Sequence, residues 1–264
     1  MITSTGNQQM KNLTALMKKA KERKSQHCFV VEGCKMCMEA PKEWVRAMYV
    51  SESFAEKDRN QKLLEGYTYE LVSDKVFAAV SDTQTPQGIL AVVEMPEYQL
   101  SDLLRGEKTH LLILESIQDP GNLGTMLRTG EGAGVTGVIM NRTTADLFNP
   151  KTIRSTMGSI YRMPFVVTED LNATVLQLKN QGVSLYAAHL KGTSAYDEPD
   201  YTGPCGFFIG NEGNGLTDEL AELADTYVRI PMEGQVESLN AAVSAALLMY
   251  ECGRQRRRKH ENLV

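Results

Sequence analysis

The sequence predicts an α/β fold, with a mostly parallel sheet in its C-terminal part and a small α/β domain ahead of it. Short strand-like apolar runs alternate with helical patterns along almost the whole chain. The run at 110–115, HLLILE, is apolar almost throughout, as strands buried on both faces of a sheet are. The stretch 96–108, PEYQLSDLLRGEK, is polar, carries a proline and lies between two apolar strand candidates. It reads as a linker between a domain over 1–95 and a second over 109–264.

In the first domain, Met10, Leu13, Leu16 and Met17 recur at helical spacing, so 9–24 is read as the opening helix. Strands are expected at 29–32, 47–50, 68–71 and 89–93, with helices at 34–41, 55–64 and 73–80. In the second, strands are expected at 110–115, 137–140, 164–167, 183–188, 206–209 and 227–230. Helices are expected at 122–133, 150–157, 171–181 and 217–224. A last helix over 239–252 would turn Leu239, Val243, Ala246, Leu247 and Tyr250 to the core.

The 264 residues suffice for a substantial core, and 42% hydrophobic with 23% charged residues is ordinary globular composition. The longest apolar stretch, near 241–250, is too short to span a bilayer. The Lys-rich start lacks the apolar core of a signal peptide. Five cysteines, an odd number, fit a reducing compartment, and a cytoplasmic protein is expected. Cys34 and Cys37 have CxxC spacing, but no second pair completes a zinc site, and no metal is expected. The net charge of −5 disfavours a generic polyanion binder. Basic residues nevertheless crowd both ends: Lys11, Lys18, Lys19, Lys21, Arg23 and Lys24, then Arg254, Arg256, Arg257, Arg258 and Lys259. Such patches hold phosphates, or are solvated helix ends.

Ligands of parallel sheets collect at the carboxyl ends of strands, and three polar, Gly-bearing loops fall there. In ESIQDPGNLGTMLRTGEGAGV (115–135), Asp119-Pro120-Gly121 is turn chemistry and Asn122 is placed to cap the next helix. Arg128 follows six residues later and is expected nearly above Asn122. In FFIGNEGNGLTDEL (207–220), a buried strand runs into Gly210, Gly213 and Gly215, with Glu212 among them and Thr217 as a helix cap. In IPMEGQVESLN (230–240), Ser238 or Asn240 is placed to cap the last helix. The spacings match neither a Walker loop nor a GxGxxG fingerprint.

DPGNLGTMLRT, IGNEGNGL and IPMEGQVESLNAAVSAA resemble, in order, the three signature motifs of the SpoU (TrmH-type) RNA 2′-O-ribose methyltransferases. FVVEGCKMCMEA and TPQGILAVVE are similar to that family's N-terminal substrate-binding domain, which has a ribosomal-protein-like RNA-binding fold. The resemblance implies a deep trefoil knot in the C-terminal domain, S-adenosylmethionine held by the knot loops, and a homodimer. It implies catalytic roles for Asn122, Arg128, Glu212, Ser238 and Asn240, and cofactor contacts at Gly210, Ile230 and Leu239. The small residues Ala241, Ala242, Ser244 and Ala245 would let the last helix pack closely against backbone. Family members use the matching arginine as the proposed base. An always-charged guanidinium gripping a substrate phosphate is the physically easier role for Arg128. The substrate implied is structured RNA, rRNA in preference to tRNA, since tRNA-specific relatives often lack the N-terminal domain. The alternatives are an RNA-binding protein of the same fold without methyl transfer, and an rRNA-methylating resistance enzyme.

Overall fold

The computed structural model describes residues 1–261, with side chains as far as Lys259. The chain forms two compact units, Met1–Glu97 with Asp146–Tyr161, and Tyr98–Ala145 with Arg162–Val264.

The first unit is built on β1 (Cys28–Glu32), β2 (Val45–Ser51), β3 (Glu70–Val72) and β4 (Ile89–Glu94), in the order β1-β4-β2-β3. β4 runs antiparallel to both β1 and β2, and β2 and β3 are parallel. Met10, Leu13, Leu16 and Met17 form one buried face with Val30, Tyr49, Phe77 and Leu90, as their spacing predicts. The single opening helix is in fact two, Gln8–Lys18 and Ala20–Gln26, broken at Lys19, whose backbone is extended. No Gly or Pro marks that break. Arg23 holds it: its buried guanidinium folds back to donate to the carbonyls of Leu16 (2.6 Å) and Met17 (3.0 Å), and reaches Asp146 Oδ2 at 2.5 Å.

Residues 146–161, expected with the second domain, pack on this first unit. The Phe148 ring lies 4.9 Å from that of Phe29, and Tyr161 Oη donates to the Met36 carbonyl at 2.8 Å. Cys34 and Cys37 are free thiols; burial pushes the Cys37 thiol pKa well up and keeps it protonated.

The stretch expected as a linker is folded within the second unit. Its short helix Leu100–Leu103 carries a capping box between Gln99 and Asp102, and Leu103 is fully buried. A Cβ on Gly137 would lie 2.1 Å from Leu103 Cγ, so glycine is what admits this side chain. The sheet contains β5 (His110–Leu114), β6 (Gly137–Asn141), β7 (Phe165–Thr168), β8 (Ser184–Ala188), β9 (Ser194–Ala195), β10 (Cys205–Ile209) and β11 (Thr226–Arg229). Their order is β7-β6-β5-β10-β8-β11-β9, and every pairing is parallel. The unbroken apolar runs predict this: β5 and β10 are buried along their whole length. The chain steps from β5 through β6 to β7 on one side, then builds the other side from β8 onward. The β5–β10 junction is therefore the point where the winding reverses, which is where open parallel sheets present a crevice.

The last helix, Ala241–Glu261, is longer than expected and presents a different face inward. Ala242, Ala245, Leu248, Met249 and Cys252 are buried, while Val243 and Tyr250 are each 48% exposed. Small residues on the buried face allow close approach: a Cβ on Gly253 would sit 3.3 Å from the Ala133 carbonyl. Arg256 fixes the far end by donating to the carbonyls of Lys108, Thr109, Tyr201 and Gly203.

Arg23→Ala strands Asp146 and the carbonyls of Leu16 and Met17. It is expected to cost about 3 kcal/mol in denaturant unfolding, typical of removing one partner of a buried pair. Arg23→Lys should recover little of this, because a single ammonium cannot replace the planar fork.

Candidate active site

The three loops leave the carboxyl ends of β5, β10 and β11, and Glu212 ties them together. Its carboxylate accepts from the backbone N–H of Gln118 (2.9 Å), the backbone N–H of Asp119 (3.1 Å) and Asn122 Nδ2 (3.0 Å). Asn122 Oδ1 accepts from Asn240 Nδ2 at 3.0 Å. Asn240 Oδ1 receives the N–H groups of Ala242 (2.8 Å) and Val243 (3.3 Å), so Asn240 caps the last helix. Both ends of the Asn122 amide are thereby assigned: oxygen to the third loop, nitrogen to the second.

Asn122 does not cap its own helix. The cap is Asp119, whose Oδ1 accepts from Asn122 N at 2.8 Å, with Pro120 in the first turn. The Asp-Pro pair was the signal, since proline favours the first helical position. Arg128 is not above Asn122 either. Six residues at 3.6 per turn leave them about a third of a turn apart. Asn122 faces Glu212, while Arg128 is exposed and, among the described residues, makes no hydrogen bond or ion pair.

Sequence reasoning missed Asn211 and Glu115. Asn211 Nδ2 donates to the Ser116 carbonyl at 2.8 Å, and its Oδ1 accepts from the N–H groups of Gly213 and Asn214. Its backbone pairs in both directions with Gly215, whose φ of +72° needs glycine. Glu115 accepts from Thr217 N and Thr217 Oγ1, each at 2.8 Å, and Thr217 caps the next helix as predicted. Nothing in the spacing of these residues announces pairings that span about a hundred positions.

Beside this network lies a cavity of about 370 Å³, within the usual range of small-ligand pockets. Gly210, Glu212, Ile230, Ser238 and Leu239 line it; Asn122, Asn240 and Arg128 stand outside it. Its wall also includes Val228, Met232, Lys191 and Arg229. A Cβ on Gly210 would fall 2.2 Å from the Gly215 carbonyl carbon and 2.3 Å from Leu216 N, so only glycine lets the loop close here. Apolar walls, exposed loop backbone and two basic side chains suit an amphiphilic ligand with a planar base, a thioether-like chain and a carboxylate. S-adenosylmethionine fits that description.

Partial desolvation raises the Glu212 pKa, but the hydrogen bonds from Asn122, Gln118 and Asp119 outweigh it and hold the carboxyl below the ordinary glutamate range. A depressed folded-state pKa means the network is intact at neutral pH. It is lost only as pH falls through that lowered value, below the ordinary glutamate range.

The model of the SpoU rRNA methylase family matches residues 109–250, and that of the MRM3-like substrate binding domain matches residues 7–91. The chain is 37% identical over 252 residues to the 23S rRNA (guanosine(2553)-2′-O)-methyltransferase RlmP of Bacillus subtilis, covering 94% of this chain and 97% of that one. Among solved structures it is similar to the SpoU methyltransferase AviRb from Streptomyces viridochromogenes in complex with AdoMet (TM-score 0.85, 26% identity, 96% and 100% coverage). It is also similar to the AdoMet-bound rRNA methyltransferase from Sinorhizobium meliloti (TM-score 0.83, 30% identity, 96% and 97% coverage).

Gly210→Ala is expected to weaken S-adenosylmethionine binding at least about tenfold by calorimetry, since the added methyl meets backbone rather than a movable side chain. Glu212→Gln removes the acceptor of three hydrogen bonds and is expected to lower turnover at neutral pH, as measured by methyl transfer to RNA.

Proposed function

This chain belongs to the SpoU rRNA methylase family, and we propose that it methylates a ribose 2′-hydroxyl of 23S rRNA with the five polar residues of its three loops as the working site. The protein is an S-adenosylmethionine-dependent RNA methyltransferase. The observation that carries the assignment of residues is the Glu212–Asn122–Asn240 chain of hydrogen bonds beside the cavity, with Arg128 left free.

The cofactor, when bound, supplies a methyl group on a sulfonium, so the leaving group needs no metal. What remains for the protein is to place an oxygen nucleophile in line and favour loss of its proton. Asn122 and Asn240 position each other and present their remaining polar valences to the ribose. Glu212 holds the first loop through its backbone N–H groups. Gly210, Ile230 and Leu239 contact the cofactor, and Ser238 shapes the third loop. Arg128, permanently charged, grips a phosphate next to the reacting ribose and lowers the pKa of its hydroxyl electrostatically, so that the proton passes to water as the oxygen takes the methyl group.

The third loop and the last helix complete a trefoil knot in this reading, as in the family. The exposed face with Val243, Ala246, Leu247 and Tyr250, which lines a shallow groove together with Tyr196 and Arg257, is covered by a second copy of the chain. The protein works in the cytoplasm. Among the described residues no helix is long and apolar enough to cross a membrane.

Ribose-methylation mapping of 23S rRNA from cells with and without the gene should show one lost 2′-O-methyl mark. Wild type should restore it and Arg128→Ala should not. Purified Arg128→Ala should retain S-adenosylmethionine affinity while losing about 10²-fold or more in turnover, the scale of removing a transition-state charge contact. Near-normal turnover would remove Arg128 from the site. Sedimentation should report a dimer, and Tyr250→Asp should shift it toward monomer.

A further inference from the structure

We propose that the wet face of the first two helices is a phosphate-binding surface for the RNA substrate. This rests on the rRNA reading above. Lys11, Lys18, Lys19, Lys21 and Lys24 all have exposed side chains, and among the described residues none makes an ion pair. Over Gln8–Gln26 the only acid is Glu22, itself contacted by Gln26 Nε2 at 3.5 Å. The one cation of the run that is spent internally is Arg23, buried against Leu16, Met17 and Asp146.

Arg23 also explains why the lysines cluster. By folding back on the first helix it fixes the break at Lys19, which brings the end of one helix and the start of the next together with their lysines unpaired. Lys21 and Lys24, three positions apart on the second helix, repel each other, and an anionic partner relieves that repulsion. In the C-terminal run Arg254 pairs with Glu251, Arg256 is committed to main-chain carbonyls and Lys259 reaches Thr202 Oγ1, while Arg257 and Arg258 are exposed.

RNA backbone suits the N-terminal face better than a membrane does. The apolar residues of the first helix, Met10, Leu13, Leu16 and Met17, are buried and leave nothing to insert among lipids. Lysines act as point charges on phosphates, so this face would supply affinity and orientation without reading sequence.

The test is filter binding of protein-free 23S rRNA transcript across a salt series. The proteins are wild type, a variant with Lys18, Lys19, Lys21 and Lys24 all changed to Gln, and one with the same four changed to Arg. Each phosphate contact contributes about 0.7–0.9 to the slope of log K against log salt. The Gln variant should lose about two or more from that slope and bind at least tenfold more weakly at about 0.15 M salt. The Arg variant should keep the slope. The far-ultraviolet circular dichroism spectrum and the melting transition should match wild type in both, which shows that each variant is folded. A Gln variant with the wild-type slope overturns the surface and leaves the rRNA reading standing. A wild-type protein that does not bind the transcript at low salt overturns both.

Discussion

The Glu212 carboxylate is where three distant pieces of chain become one site. It takes the N–H groups of Gln118 and Asp119 from the first loop and the side-chain amide of Asn122, and through Asn122 it reaches Asn240 at the head of the last helix. A carboxylate accepts several hydrogen bonds at once, and this one uses that capacity to hold three donors of the first loop from the second. Asn122 is fixed as a consequence, because its oxygen and nitrogen face different partners and the amide cannot turn over without losing both. The cap of the last helix and the setting of the first loop therefore depend on the same group.

That arrangement is possible because the sheet brings its ends together. β5 and β10 are neighbours in register from Cys205 opposite His110 to Ile209 opposite Leu114, so both chains emerge at the same level. The two loops are then clamped by Asn211 on Ser116 and by Glu115 on Thr217. Gly210 lets the second loop fold onto its own backbone, which forms one wall of the cavity. The rigid part of the molecule sets positions, and a small number of long-range polar contacts sets orientation.

Much of this was legible in the sequence, because parallel strands buried on both faces write themselves as apolar runs. The strands of the second unit fall within a residue or two of expectation, except the two-residue β9 (Ser194–Ala195), which was not expected. The helix behind the third loop also begins where the Asn240 cap suggests. Residues whose role is set by partners far along the chain were not legible from periodicity. Asn211 and Glu115 look like ordinary loop polars, and 146–161 reads as one more helical connection rather than a segment packed on the first unit. The inward face of the last helix was misjudged because a pattern rich in Ala and Leu offers more than one apolar stripe. Close packing then chose the stripe with the smaller residues, Ala242 and Ala245. The resemblance to known methyltransferases, rather than periodicity, supplied Asn122, Glu212 and Asn240 as a group.

The long reach of the Asn122 contacts also sets a timetable. Asn122 is 90 positions from Glu212 and 118 from Asn240. Closing loops of that size costs entropy before any contact rewards it, and parallel strand pairings are slow for the same reason. The β5–β10 register must exist before Glu212 has anything to bind, and the last helix must dock before Asn240 can reach Asn122. The hydrogen bonds of Asn122 therefore report on the whole catalytic unit, because they exist only where the sheet register and the docked last helix are both in place.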